Sequence, residues 1–173
     1  MRSSVRRVDV RYSTEFFHAD FIQFLGGNMP NHCYQTVEVE GPAGLVKNLY
    51  RGLKDDGRFC DAVIPMPLSE SGDWYEWRCE KWGTKWDIVE PEVISASWPD
   101  GVIGHKEGER SSFKFRCWTA WSPPTPIWDA LVELGFKISA DYHDEGGMFE
   151  GTYMDGVTDE WEGEESCQQL ITS

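Results

Sequence analysis

Nowhere does this chain approach the roughly 18 consecutive apolar residues that a membrane-spanning helix requires, so no such helix is expected. Its five cysteines (Cys33, Cys60, Cys79, Cys117 and Cys167) are odd in number and no two stand at Cys-x-x-Cys spacing. That argues against a disulfide framework and points to reduced thiols in a cytosolic, cytoplasmic setting. The histidines His18, His32, His105 and His143 include no pair at i,i+4 spacing, so no metal is expected. There is no phosphate-binding glycine loop after a strand, since Gly146-Gly147 does not qualify, and no cofactor is expected. Arginines near the N-terminus are followed by residues 8–12, which alternate with charge, and no apolar leader segment comes after them, so no signal peptide is read. Lysine and arginine are missing altogether from residues 138–173.

The same stretch holds Asp141, Asp144, Glu145, Glu150, Asp155, Asp159, Glu160, Glu162, Glu164 and Glu165. It therefore carries ten of the negative charges in a chain of 173 residues whose net charge is −14. Charge of that size repels nucleic acid and anionic membrane and favours a basic partner. Residues 1–28 differ, because Arg2, Arg6, Arg7 and Arg11 slightly outweigh Asp9, Glu15 and Asp20. Aromatics are plentiful, and four of the nine tryptophans lie in two cassettes. One is Trp82-Gly83-Thr84-Lys85-Trp86; the other runs from Trp118 through Trp121 to Ser122-Pro123-Pro124-Thr125-Pro126.

Periodicity divides the chain. Residues 1–28 read as an extension, with a short strand at Val8, Val10 and Tyr12 and an apolar segment from Phe16 to Leu25. Residues 34–40 alternate as a half-buried strand, and Pro42 opens a helix on Leu45, Val46, Leu49, Tyr50 and Leu53. Residues 59–66 are a short apolar run that the prolines Pro65 and Pro67 consign to an edge or loop. A short helix over 74–82 and a strand over 93–98 come next. Residues 111–119 make the strongest strand, with Phe113, Phe115 and Cys117 on one face and Lys114, Arg116 and Trp118 on the other. Pro126 starts a helix that Gly135 stops, and strands are expected over 136–142 and 149–154. Beyond Asp155 the chain reads as a polar, acidic tail. With the insertion at 58–90 set aside, the first six elements are βαββαβ, which predicts an α+β, ferredoxin-like split βαβ sandwich. The expected division is an extension at 1–28, a domain at 29–154 and a tail at 155–173.

Several segments resemble those of a known family, in the same order. They are Met29-Pro30-Asn31-His32-Cys33, Val63-Ile64-Pro65-Met66-Pro67, Trp74-Tyr75-Glu76-Trp77, the first cassette, Thr119-Ala120-Trp121-Ser122-Pro123-Pro124, and Gly147-Met148-Phe149-Glu150-Gly151. Together they are similar to the YubB-like ferredoxin-like domain family of plasmid and phage proteins, over residues 29–154. The resemblance implies the fold and a mobile-element setting, and it carries over no catalytic residue. Residues 1–28 precede the point where members commonly start, and His32 stands where an aromatic is common.

The residues support two functional readings. The first is a non-enzymatic, acidic interaction protein that binds a basic, nucleic-acid-handling host protein. Asp155, Asp159, Glu160, Trp161, Glu162, Glu164 and Glu165 would supply charge and an anchor, as a nucleic-acid mimic in counter-defence against CRISPR or restriction systems. The plainer alternative is that these acids are a solvated tail. The second reading is a small-ligand or single-strand nucleic-acid module built on Trp82, Lys85, Trp86 and Trp121, or on the strand of Phe113 and Phe115. Its plainer alternative is that these rings fill the core. Direct nucleic-acid binding is opposed by the charge. Cys33 beside His32 makes no nucleophile–base pair, because neighbours on a strand point to opposite faces.

Overall fold

In the computed structural model, residues 31–55, 58–98 and 108–162 are described. The expected strand and apolar segment within residues 1–28, and Cys167, Glu164 and Glu165, lie outside them. By contact, Met1–Pro30 and Asn31–Ser173 form separate units, and the elements described below belong to the second.

The elements in chain order are β1 (His32–Pro42), α1 (Ala43–Asp55), α2 (Phe59–Val63), a short 3-10 turn (Leu68–Glu70), α3 (Trp74–Trp82), β2 (Val89–Ser97), β3 (Arg110–Ala120), α4 (Thr125–Glu133), β4 (Lys137–Asp144), β5 (Phe149–Met154) and β6 (Val157–Glu162). The architecture is α+β. The six strands form one antiparallel sheet in the order β2-β3-β1-β4-β5-β6, so the two longest strands, β1 and β3, lie inside it.

Strict alternation decides which face is covered. On β1, Cys33, Gln35, Val37 and Val39 are buried, while His32, Tyr34, Thr36, Glu38 and Glu40 are not. β3 and β4 repeat the pattern, burying Phe113, Phe115 and Cys117 on one strand and Ile138, Ala140 and Tyr142 on the other. These positions meet Val46, Leu49 and Leu53 of α1 and Ile127, Trp128 and Leu131 of α4 in one core. The 3.6-residue spacing of the α1 set puts it on one stripe. Apart from Ala120 at the end of β3, the opposite face of β1, β3, β4 and β5 has no buried position, so no described element covers it. Phe113 and Phe115 are thus core residues facing the helices, which removes them as a stacking surface.

The insertion between α1 and β2 packs into the same core. Residues 59–63, expected as an edge or loop segment, instead form helix α2, because both oxygens of Asp87 accept amides from its first turn (Cys60 at 2.8 Å and Asp61 at 3.0 Å). The prolines act only after the helix has ended. α3 stops at Gly83, whose φ of 75° is the left-handed helix cap that glycine adopts without strain. β2 begins earlier than the alternation predicts and contains Pro91, which an edge strand tolerates. The largest correction is at the C-terminal side, where the expected polar tail forms β6 and extends the sheet to Glu162. No described helix is long and apolar enough to cross a membrane.

Candidate functional site

The acidic run begins as a turn. Asp155 and Gly156 alone separate β5 from β6, with φ of 47° and 95°, as a type I′ hairpin turn requires. Asp155 also bonds back to β4. Its carboxylate accepts the Ile138 amide at 2.8 Å, and its own amide donates to the Ile138 carbonyl at 3.0 Å. Asp155 is therefore a turn builder.

From there the pleat sorts the acids. Glu160 lies opposite Gly151 and turns to the core side, where it accepts the Tyr142 hydroxyl at 3.1 Å. Burial raises the Tyr142 pKa, and the Glu160 charge adds to that. Gly151 is required here, because a Cβ would fall 2.6 Å from both the Asp159 carbonyl and the Tyr142 hydroxyl. Asp159 and Trp161 take the uncovered face, opposite Thr152 and Glu150. The Trp161 indole donates to the Glu150 carboxylate at 2.6 Å. Asp141 lies opposite Thr152 from the other side and completes an acidic row on that face.

Among the described residues, the ion pairs join Glu145 to His32, Glu80 to Lys81, Glu40 to Arg110 and Glu38 to Lys114. Within that set, Asp141, Glu150, Asp159 and Glu162 are left without a cationic neighbour. Part of this charge has a structural use, since β6 is the edge strand and carboxylates there discourage another chain from adding to the sheet.

The two tryptophan cassettes meet elsewhere. Thr84 and Ala120 exchange two hydrogen bonds, the Thr84 hydroxyl donating at 3.0 Å and accepting the Ala120 amide at 3.2 Å. The Ser122 hydroxyl donates to the Gly83 carbonyl. At this junction the Lys85 ammonium lies 5.1 Å from the ring centre of Trp86, 5.4 Å from Trp121 and 6.0 Å from Tyr75. Lys85, Trp86 and Trp121 are thus brought together. Trp82 is not part of the group. It is 1% exposed, its indole donates to the Ile64 carbonyl at 2.8 Å, and the Arg78 guanidinium lies over its ring.

Trp121 is unusual, because its φ of 68° puts a bulky side chain in the left-handed region, yet 38% of it is exposed. The corner is held by the Trp121 amide donating to the Asn31 carbonyl at 2.9 Å and by the Thr119 hydroxyl donating to the Ser122 carbonyl at 2.7 Å. The buried Trp86 indole N–H has no hydrogen-bond partner among the described residues.

Nucleophilic chemistry finds little support among the described thiols. Burial pushes the Cys33 thiol up to about 12 and also raises Cys60 and Cys117. Cys33 faces the core while His32 faces out, as strand geometry requires. Among the described residues, no group of three or more His, Cys, Asp or Glu could hold a metal ion.

Sequence reasoning overlooks a set of rings on the uncovered face: His32 and Tyr34 on β1, Trp118 on β3 and His143 on β4. The signal is present, because alternation alone places Trp118 on the face opposite Phe113 and Phe115. No family model, no curated protein and no solved structure matches the chain.

Proposed function

We propose that this chain is a binding protein whose uncovered sheet face, on the β4-β5-β6 side, engages a basic partner. The observation that carries the reading is that Asp141 and Asp159 share that face with Trp161 while, among the described residues, neither forms an ion pair with Lys or Arg. Unpaired carboxylates on an open sheet attract a cationic surface from a distance, and an exposed tryptophan supplies buried area on contact. The partner class is a nucleic-acid-handling host protein, whose phosphate-binding groove an acidic surface would fill. The mobile-element, counter-defence setting rests on the YubB-like resemblance of residues 29–154. The finer fold is read as a ferredoxin-like split βαβ unit, supported by the order β2-β3-β1-β4 within βαββαβ, with β5 and β6 added at one edge.

The test is salt-dependent capture of a defined basic nucleic-acid-binding protein by the full chain. The variant Asp141→Asn/Glu150→Gln/Asp159→Asn should lose roughly tenfold in affinity at low salt and little at 1 M, where the screening length falls to about 3 Å. Full affinity in the triple variant would overturn the proposal.

The strained, exposed Trp121 beside Lys85 favours a second reading, a small anionic aromatic ligand at the cassette junction. Nucleotides that quench tryptophan fluorescence in the wild type but not in Lys85→Met would support it. A flat titration at low salt would remove it.

A further inference from the structure

The rings on the uncovered face form a row that crosses the strands. Trp118 on β3 is opposite Tyr34 on β1, Tyr34 is opposite His143 on β4, His143 is opposite Glu150 on β5, and Glu150 is opposite Trp161 on β6. Five neighbouring strands at about 4.8 Å spacing make the row roughly 19 Å long. The rings are in contact: Tyr34 and His143 are centred 5.5 Å apart, and His32 packs on Trp118 at 4.0 Å. Tyr34 is 37% exposed and Trp161 42% exposed, so ring faces remain open to solvent.

Cross-strand aromatic pairs stabilise sheets by themselves, and the His32–Trp118 contact is accounted for that way. Pair stabilisation does not account for the acids set beside the rings. Two residues along each strand, about 7 Å away, lie Asp141 on β4 and Asp159 on β6, and Glu150 sits within the ring row itself. Carboxylates thus lie beside the ring faces, and Asp141, Glu150 and Asp159 form no ion pair among the described residues; the nearest cation in their row, Arg116 on β3, is two strands from Asp141.

We propose that this surface docks an extended, arginine-rich segment of a partner protein; the inference rests on the basic-partner reading above and sharpens it from charge to side-chain type. A guanidinium is planar, stacks on aromatic faces and binds carboxylates with two parallel hydrogen bonds. An ammonium offers only the point charge. A row of roughly 19 Å accommodates about six residues of extended chain. Single-stranded nucleic acid would also stack on the rings, but Asp141, Glu150 and Asp159 would meet its phosphates.

The experiment uses the full chain and three labelled probes: a nine-residue peptide alternating Arg with Gly, the same peptide with Lys for Arg, and an oligo-dT. Fluorescence anisotropy should show the Arg peptide binding about tenfold more tightly than the Lys peptide. Tyr34→Leu/His143→Leu keeps apolar bulk while removing both rings. It should bring the Arg peptide to the Lys level without moving the Lys peptide, and Tyr34→Phe should keep the wild-type preference. Equal binding of the two peptides, unmoved by the double variant, would overturn the stacking role while leaving the basic-partner reading intact. Failure of both peptides would overturn both readings. Binding of oligo-dT alone, lost in the double variant, would reassign the row to single-stranded nucleic acid.

Discussion

Replacing Asp155 separates two roles that the acidic run could have. If Asp155 served the partner, Ala and Asn would be equivalent there, because both remove the charge. The geometry requires them to differ. In Asp155→Ala the Ile138 amide loses its acceptor, which costs about 1–3 kcal/mol where water does not replace it. Alanine must also hold a φ of 47°, at a cost of about 1 kcal/mol. The sum is roughly 2–4 kcal/mol. For a chain of this size each kcal/mol moves Tm by about 2–4 °C, so a fall of roughly 5–15 °C is expected. Asparagine keeps an oxygen for the Ile138 amide and tolerates the left-handed region, so Asp155→Asn should stay within about 0.5 kcal/mol of wild type. Urea unfolding followed by tryptophan fluorescence measures both variants. An unaltered Asp155→Ala, or an Asp155→Asn as unstable as Asp155→Ala, would refute the turn assignment.

Other predictions concern the core. Thiol labelling at pH 8 in a Cys167→Ser background should modify the half-exposed Cys79 and spare Cys33, Cys60 and Cys117 until the protein unfolds; rapid labelling of Cys33 would contradict its burial. Gly83→Ala should cost at least 2 kcal/mol, roughly, since φ is 75° and the new Cβ would sit 2.8 Å from Pro126 Cδ; calorimetry reads the loss. Burial holds the Asp87 carboxyl above its ordinary range, although the amides of Cys60, Asp61 and Ile88 offset part of this. The folded state therefore binds that proton more readily than the unfolded chain. Its contribution to stability is complete below the unfolded Asp value, about 3.9, and is lost as pH rises toward the folded value. Measured against Asp87→Asn, the wild type should lose relative stability as pH rises above 4, and a rise instead would reverse the assignment.

Much of the sheet was legible because its strands obey the two-residue period so closely. The alternation of 34–40 and 111–119 identified β1 and β3, and the assignment of Lys114, Arg116 and Trp118 to the face opposite Phe113 and Phe115 is what the burial shows. β6 was missed although its signal is among the strongest in short sequences: Asp-Gly between alternating segments is the residue pair that a type I′ turn selects. The abundance of carboxylates masked it, because composition reports solvation and not backbone geometry. α2 was hidden for a different reason. Five residues cannot hold a helix by their own propensity, and the acceptor that organises its first turn, Asp87, is 27 residues away from Cys60. Within the first cassette, sequence could not separate Trp82 from Trp86. Trp82 ends a helix and turns into the core, whereas Trp86 lies past the left-handed Gly83 beside Lys85. The ring row required knowing which strands are neighbours, since its members lie on strands far apart in the chain.

The position of β1 has a consequence for how the protein is made. This inner strand pairs with residues that are translated much later, His32 with Ala120 on one side and Cys33 with Asp144 on the other. At about 5–20 residues per second, roughly 4–16 s separate the synthesis of Pro42 from that of Ala120. Throughout that interval Val37 and Val39 have no sheet to enter, and both edges of the strand present open amides and carbonyls. The β5–β6 hairpin closes locally, on a scale of about 1–10 µs, but has nothing to join until β4 has found β1. The sheet therefore cannot close around β1 until both β3 and β4 have been made, and among the described strands β1 waits longest with open edges.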